Sequence, residues 1–146
     1  MKPITASVRV DRPRDEVFAF INVLPNHAGF TDHMLVDWTF SGPPEGVGSK
    51  SRMRPALPGP KDWMELGVLE SRAPVTTVEE TVSAKGKRRT RGTYTLEELP
   101  GGATQVRFEL VWLETTFLDR LLSPFTRGWL QRGNEKAMQR LQQTLR

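Results

Sequence analysis

The stretch Ala103-Thr104-Gln105-Val106-Arg107-Phe108-Glu109-Leu110-Val111-Trp112-Leu113 alternates strictly. Val106, Phe108, Leu110 and Trp112 fall on one face and Gln105, Arg107 and Glu109 on the other, the period of a half-buried strand. After Thr116 the period changes. Leu118, Leu121, Leu122, Phe125, Trp129, Gly133, Ala137, Leu141 and Leu145 recur at steps of three and four, so one face of a helix stays apolar or small to the end of the sequence. Ser123 suits an N-cap and Pro124 the first helical position, where its missing N–H costs nothing. A helix over 124–145 would span about 33 Å, with Leu118 to Leu122 as a separate turn before it.

Working back from this strand, Pro100-Gly101-Gly102 is a tight connection, and strand-like runs precede it at 88–98, 75–84 and 63–71. The proline-rich stretch 55–60 reads as a loop. Val47 to Arg54 and the run from Met34 with Val36, Trp38 and Phe40 form two more strands around the Ser41 to Gly46 turn. Residues 4–10 alternate as the first strand, with Ile4, Ala6, Val8 and Val10 on one face. Pro13, Asp15 and Glu16 then open a short helix carrying Val17, Phe20, Ile21 and Leu24, because proline and acidic residues suit a first turn. A second short helical piece is expected over 26–33. Short turns between sequential strands imply antiparallel pairing. The expected fold is α+β, a seven-stranded curved antiparallel sheet wrapped around a long C-terminal helix, with two short helices after strand 1.

The chain has 146 residues, 26% charged and 37% hydrophobic, enough for a single domain over 1–146 with one core. There is no cysteine, which excludes disulfides and thiolate chemistry. No stretch approaches the roughly 20 apolar residues that span a bilayer, and a soluble, cytoplasmic protein, monomeric or homodimeric, is the expectation. The net charge of +4 is concentrated at Lys85, Lys87, Arg88, Arg89 and Arg91. A solvated hairpin tip explains this better than a contact with nucleic acid or an anionic surface.

Several motifs resemble one family. Val8-Arg9-Val10-Asp11-Arg12-Pro13-Arg14-Asp15-Glu16-Val17-Phe18-Ala19-Phe20 resembles the opening of the START-like (SRPBCC; Bet v 1-like, polyketide cyclase/dehydrase) superfamily. Gly46-Val47-Gly48-Ser49 is similar to its Gly-x-Gly-Thr turn. Arg91-Gly92-Thr93-Tyr94 with Pro100-Gly101-Gly102-Ala103-Thr104-Gln105-Val106 is similar to its late hairpin, and the leucine-rich tail to its closing helix. The resemblance implies a helix-grip fold and the binding of a small hydrophobic molecule, such as a lipid or polyketide, in a cavity between sheet and helix. A minority of such proteins catalyse cyclisation, dehydration or hydrolysis there. No shared catalytic motif exists to transfer, and no cofactor is implied.

On that fold the expected cavity residues from the sheet are Trp38, Phe40, Met64, Tyr94, Phe108 and Trp112, with Leu66, Val68, Val78 and Val82 on the same face. The helices would add Phe20, Leu24, Leu122, Phe125 and Trp129, with Leu118 to Leu122 as a flap over the mouth. Gly133 and Ala137 should mark the closest approach of helix to sheet, which leaves the cavity nearer Phe125 and Trp129. Glu80, between Val78 and Val82, would sit on the apolar face, where an unpaired charge is expensive. Either a register slip, a bulge or an arginine partner relieves it, or it is an acid facing the cavity. Tyr94, the only tyrosine, either orients a ligand carbonyl or is a core residue whose hydroxyl reaches a backbone partner. His33, with His27 and Asp32 around Phe30, could gate the mouth or act as acid or base, but the spacing matches no zinc motif. The candidate acid or base groups are thus Glu80, Tyr94 and His33, with no metal expected. The residues leave two readings open, a binding protein and a cyclase- or dehydratase-like enzyme.

Overall fold

The computed structural model describes residues 1–146. The elements run β1 (Ile4–Val10), α1 (Arg14–Asn22), a 3-10 turn (Leu24–Asn26), α2 (His27–Thr31), β2 (Leu35–Ser41), β3 (Lys50–Pro55), β4 (Met64–Arg72), β5 (Thr76–Ser83), a 3-10 turn (Ala84–Gly86), β6 (Arg88–Glu98), β7 (Thr104–Glu114), α3 (Phe117–Leu121) and α4 (Ser123–Thr144). All seven strands pair antiparallel in one open sheet of order β1-β7-β6-β5-β4-β3-β2. The fold is α+β and compatible with a helix grip.

The two edges of this sheet are handled differently. Unpaired carbonyls on an edge strand invite pairing with another chain, and α4 covers those of β1. Gln131 donates to the Thr5 carbonyl at 2.9 Å, Gln142 to that of Arg9 at 2.7 Å, and Arg127 to that of Lys2. Arg12 then donates to the carbonyls of Leu145 and Arg146 at 3.1 and 3.0 Å, satisfying acceptors left over at the helix end. At the other edge β2 carries a bulge between Val36 and Thr39, where Asp37 has a φ of 58°. Bulges of this kind twist an edge and end its pairing.

Only the C-terminal half of α4 is packed into the core. Ala137, Met138 and Leu141 sit with Tyr94, Leu96, Val106 and Phe108 and with Val17, Phe18 and Ile21 of α1. A smaller cluster of Leu24, Met53, Leu66 and Val68 closes the sheet on the β3–β4 side. The N-terminal half of α4 and the whole of α3 lie away from both clusters, and Phe117, Leu121 and Phe125 there are 79%, 64% and 78% exposed.

Two expectations about the helices change. The cap with a side-chain partner belongs to Thr116, not Ser123: Thr116 Oγ1 accepts from Asp119 N at 3.1 Å, and Asp119 Oδ2 accepts from Thr116 N at 3.0 Å. This reciprocal box fixes the start of α3, while α4 begins at Ser123 without a side-chain cap. Gly133 makes its closest approach to the α2–β2 connection instead of the sheet. A Cβ there would meet Met34 Sδ and Cε at 2.9 Å, and its carbonyl accepts from His33. The third strand is also shorter than the pattern of 47–54 suggested, because Gly46 and Gly48 hold φ of 75° and 92° and keep 46–49 in the turn.

These two halves of α4 should respond differently to truncation. Leu141→Ala removes a fully buried side chain and is expected to cost about 2–5 kcal/mol. Phe125→Ala, at an exposed position, should change stability by less than about 0.5 kcal/mol. Urea denaturation with unchanged m-values checks both, and equal losses would contradict the asymmetric seating of the helix.

Candidate functional site

A cavity of about 480 Å³ lies where the N-terminal half of α4 stands off the sheet. Its walls come from β2 through β7, from α2, and from α3 and α4. The register of the sheet decides which side chains face it. Glu79 pairs with Gly92, Thr81 with Thr90, and Ser83 with Arg88, and in antiparallel pairs such partners share a face. Gly92 in turn lies opposite Leu110, and Thr90 opposite Trp112. Thus Glu79, Thr81, Thr90, Leu110 and Trp112 all line the cavity.

This reverses the expected parity of β5. Val78, Glu80 and Val82 face outward, and Glu80 is an acid on the outer surface, paired with Arg89 and lying 3.9 Å from Arg91. The arginine partners foreseen as one resolution are present, together with the one-residue slip. Alternation could not decide the face, because Thr77 and Thr81 suit a strand as well as Val78 and Val82 do. What the sequence did contain was Glu79-Glu80: two adjacent acids on a strand always put one on each face.

The inward acid is therefore Glu79. Its residue is 8% exposed, its Oε2 is enclosed, and that atom has no hydrogen-bond partner. Gly92 leaves the room it occupies: a Cβ there would lie 3.1 Å from Glu79 Oε1 and 2.9 Å from the Phe108 ring. Burial without a counter-charge pushes the Glu79 carboxyl up to about 8, so it is neutral at pH 7. Across from it is His27, with Nδ1 at 3.8 Å from Oε2. His27 Nε2 lies 2.6 Å from the Ile21 carbonyl and must donate to it, which leaves Nδ1 as an acceptor. Burial brings His27 down to about 4 against that backbone bond, so it too is uncharged. Tyr94 completes the group. Its ring meets His27 edge-on at 5.4 Å and Phe108 at 4.7 Å, and burial, then the Glu79 charge, pushes its phenol well up.

At the other end Arg88 gathers the cavity mouth. It donates to Asp62 in the 56–63 loop, to both carboxylate oxygens of Asp119 on α3, and to Ser83 Oγ at 3.1 Å. Asp119 thus caps α3 and binds it to the β5–β6 hairpin. Burial alone would raise its carboxyl, but Arg88 and the Thr116 bonds outweigh that and hold it below its usual range. Leu118, Leu122 and Phe125 border the same mouth, all exposed.

Of the other expected cavity residues, Trp38, Met64, Tyr94, Phe108, Trp112, Leu122, Phe125 and Trp129 stand on the cavity wall. Phe20, Leu24 and Phe40 do not. Phe20 packs on Phe30 at 6.4 Å behind the core, and Leu24 is fully buried in the smaller cluster. Phe40 is 41% exposed near the end of an edge strand, stacked on Trp38 at 5.7 Å. His33 is a structural clip: Nδ1 accepts from Arg140 at 2.8 Å, so Nε2 carries the proton it donates to Gly133. With both ring nitrogens engaged it has no free site for acid or base work. Glu79, Arg88 and Asp119 were not singled out from the sequence as cavity residues.

No protein-family model matches the chain, and no curated protein matches it in sequence. Among solved structures it is similar to TTHA0849 from Thermus thermophilus, at 18% identity and a TM-score of 0.73 over 99% of this chain and 97% of that one. The KanY protein (ms6282) gives 12% and 0.77 over 99% and 97%. A conserved protein from Geobacillus kaustophilus gives 10% and 0.76 over 99% and 95%. At these identities the likeness establishes the fold alone.

The neutral Glu79 has a measurable consequence. Unfolded, the carboxyl would lose its proton near 4.5, whereas folded it keeps it to about 8. The folded state then holds the extra proton and loses stability as pH rises through that window. His27 acts in the opposite sense between about 4 and 6.5, where only the unfolded ring is charged and stability rises with pH. The two offset below 6.5 and Glu79 alone remains above it. Urea unfolding between pH 6.5 and 8 should show stability falling by up to about 1.4 kcal/mol per pH unit, and Glu79→Gln should flatten that slope. A flat profile in the unaltered protein would contradict a neutral buried acid.

Proposed function

We propose that the protein binds a small apolar molecule, a lipid, a polyketide or a similar compound, in the cavity between the sheet and α4. This reading places it with the START-like proteins that its sequence resembles. The observation that carries it is the cavity itself, about 480 Å³ lined mainly by apolar and aromatic side chains. Small-molecule sites measure roughly 300–1,000 Å³ and combine such walls with a few placed polar groups. The exposed leucines and phenylalanines of α3 and early α4 supply an apolar path to the mouth.

The basic hairpin adds little support to a nucleic-acid reading. Arg88, Arg89 and Arg91 are engaged with Asp62, Asp119 and Glu80, which leaves Lys85 and Lys87. A catalytic reading is favoured by one observation, the neutral acid Glu79 facing the acceptor nitrogen of His27 at 3.8 Å. Such a pair could protonate a ligand carbonyl during cyclisation or dehydration. If so, a carbonyl ligand recovered from the protein is converted on incubation, and Glu79→Gln abolishes the conversion. Recovery of the ligand unchanged removes this second reading.

Binding itself is tested with the neutral fluorophore Nile red and by native mass spectrometry. Nile red should bind and a co-purifying apolar mass should be seen. Thr90→Trp, which adds an indole to the cavity wall, should weaken Nile red by about tenfold or more while leaving the far-UV spectrum unchanged. Undiminished binding in that variant, or neither fluorophore nor ligand bound by the unaltered protein, would overturn the proposal.

A further inference from the structure

We propose that the cavity selects apolar molecules carrying a basic nitrogen at their buried end, seated on Glu79, and discriminates against carboxylates. The inference rests on the binding role proposed above and names the chemistry of the ligand's polar end.

The first argument is the sign of the lining. The protein as a whole is basic, at +4. Its cavity does not share that excess: Asp62 and Asp119 are set against one guanidinium, Arg88, and Glu79 is uncharged before a ligand arrives. That guanidinium is committed to both Asp62 and Asp119, so it is not free to receive a ligand carboxylate. A preference for a cation inside therefore cannot come from the overall charge, which favours anions.

The second argument is what surrounds Glu79. From β6 it faces Gly92 and Tyr94, from β7 Phe108, from β4 Val68, and from α2 His27. None of these brings a positive charge, since the His27 N–H is directed to Ile21 and its other nitrogen is an acceptor. Glu79 Oε2 is enclosed with no hydrogen bond. Buried polar atoms in folded proteins are nearly always paired, and an unpaired one calls for an absent partner. An ammonium group supplies donors to Glu79 Oε2 and, once the carboxyl ionises, the counter-charge as well.

Aromatic rings add the third argument. Tyr94, Phe108, Trp112 and Trp129 line the same space, and ring faces attract a desolvated cation where they would repel an anion. The proton balance is simple. Before binding the carboxyl is mostly protonated at pH 7, held up to about 8 by burial. An arriving ammonium makes the carboxylate the favoured form, and the displaced proton leaves for solvent, so the complex contains an ammonium–carboxylate pair.

The test compares three probes of equal chain length below their aggregation limits, decylamine, 1-decanol and decanoate, each displacing Nile red near pH 7. Decylamine should bind about tenfold or more tightly than decanoate and more tightly than decanol. Titration calorimetry in buffers of different ionisation enthalpy should report release of up to about one proton with decylamine and none with decanol. In Glu79→Gln the preference for decylamine over decanol and the proton release should both vanish. Decanoate binding as tightly as decylamine, no proton release in the unaltered protein, or an amine preference that survives in Glu79→Gln would each overturn the inference. Failure of decanol and Nile red as well would instead remove the binding reading, and this inference with it. The displacement and proton-release measurements on the unaltered protein decide the matter even if the variant does not fold.

Discussion

The seating of α4 on one end of the sheet controls the rest of the molecule. Ala137, Met138 and Leu141 are buried against β6, β7 and α1, and Gln131 and Gln142 fasten the helix along β1 by its edge carbonyls. Contact at the C-terminal half is accompanied by separation at the other, where Leu122, Phe125 and Trp129 line the cavity. The cavity is the geometric remainder of that contact. Because it lies beside the helix start, its mouth is bordered by the segment that has to turn from β7 into α4, which is α3.

The same separation explains why β5 can present polar side chains inward. Where α4 is seated, the inner face is mostly apolar, as at Leu96 and Val106, each 1% exposed or less, and a buried hydroxyl such as that of Thr104 donates to a carbonyl. Farther along, Thr81 and Thr90 line the open cavity and Ser83 accepts from Arg88, so hydroxyls there cost little. Glu79 sits at the boundary, between the packed aromatic cluster of Tyr94 and Phe108 and the open cavity. It inherits burial from one side and a lack of partners from the other, and that combination keeps its carboxyl neutral.

Much of the fold was legible because it depends on periodicity. The alternation over 104–113, the change to steps of three and four after Thr116, and the Gly-Pro punctuation between runs all report local geometry that tertiary packing reinforces. The site was legible only in part. Aromatic residues on strongly alternating strands, such as Phe108 and Trp112, could be oriented by parity. Strand β5 could not, since valines and threonines alternate there and both suit a strand. Phe40 was misplaced for another reason: position along an edge strand, not face, decides whether it reaches the cavity. His33 looked like an acid or base candidate because a sequence does not show that Arg140, more than a hundred positions away, supplies one of its partners.

Charged groups are compensated differently at the two ends of the cavity. At the mouth, Arg88 answers Asp62 and Asp119 within hydrogen-bonding distance, so the charges there are largely compensated and serve to tie the 56–63 loop, the hairpin and α3 together. At the inner end Glu79 has no such answer. On the proposed binding role, a ligand passing the mouth would meet apolar side chains and an ion cluster already satisfied, which would neither recruit nor resist it strongly. Under the same proposal selection would be left to the inner end, where desolvation makes each polar mismatch count for more than it would at the surface.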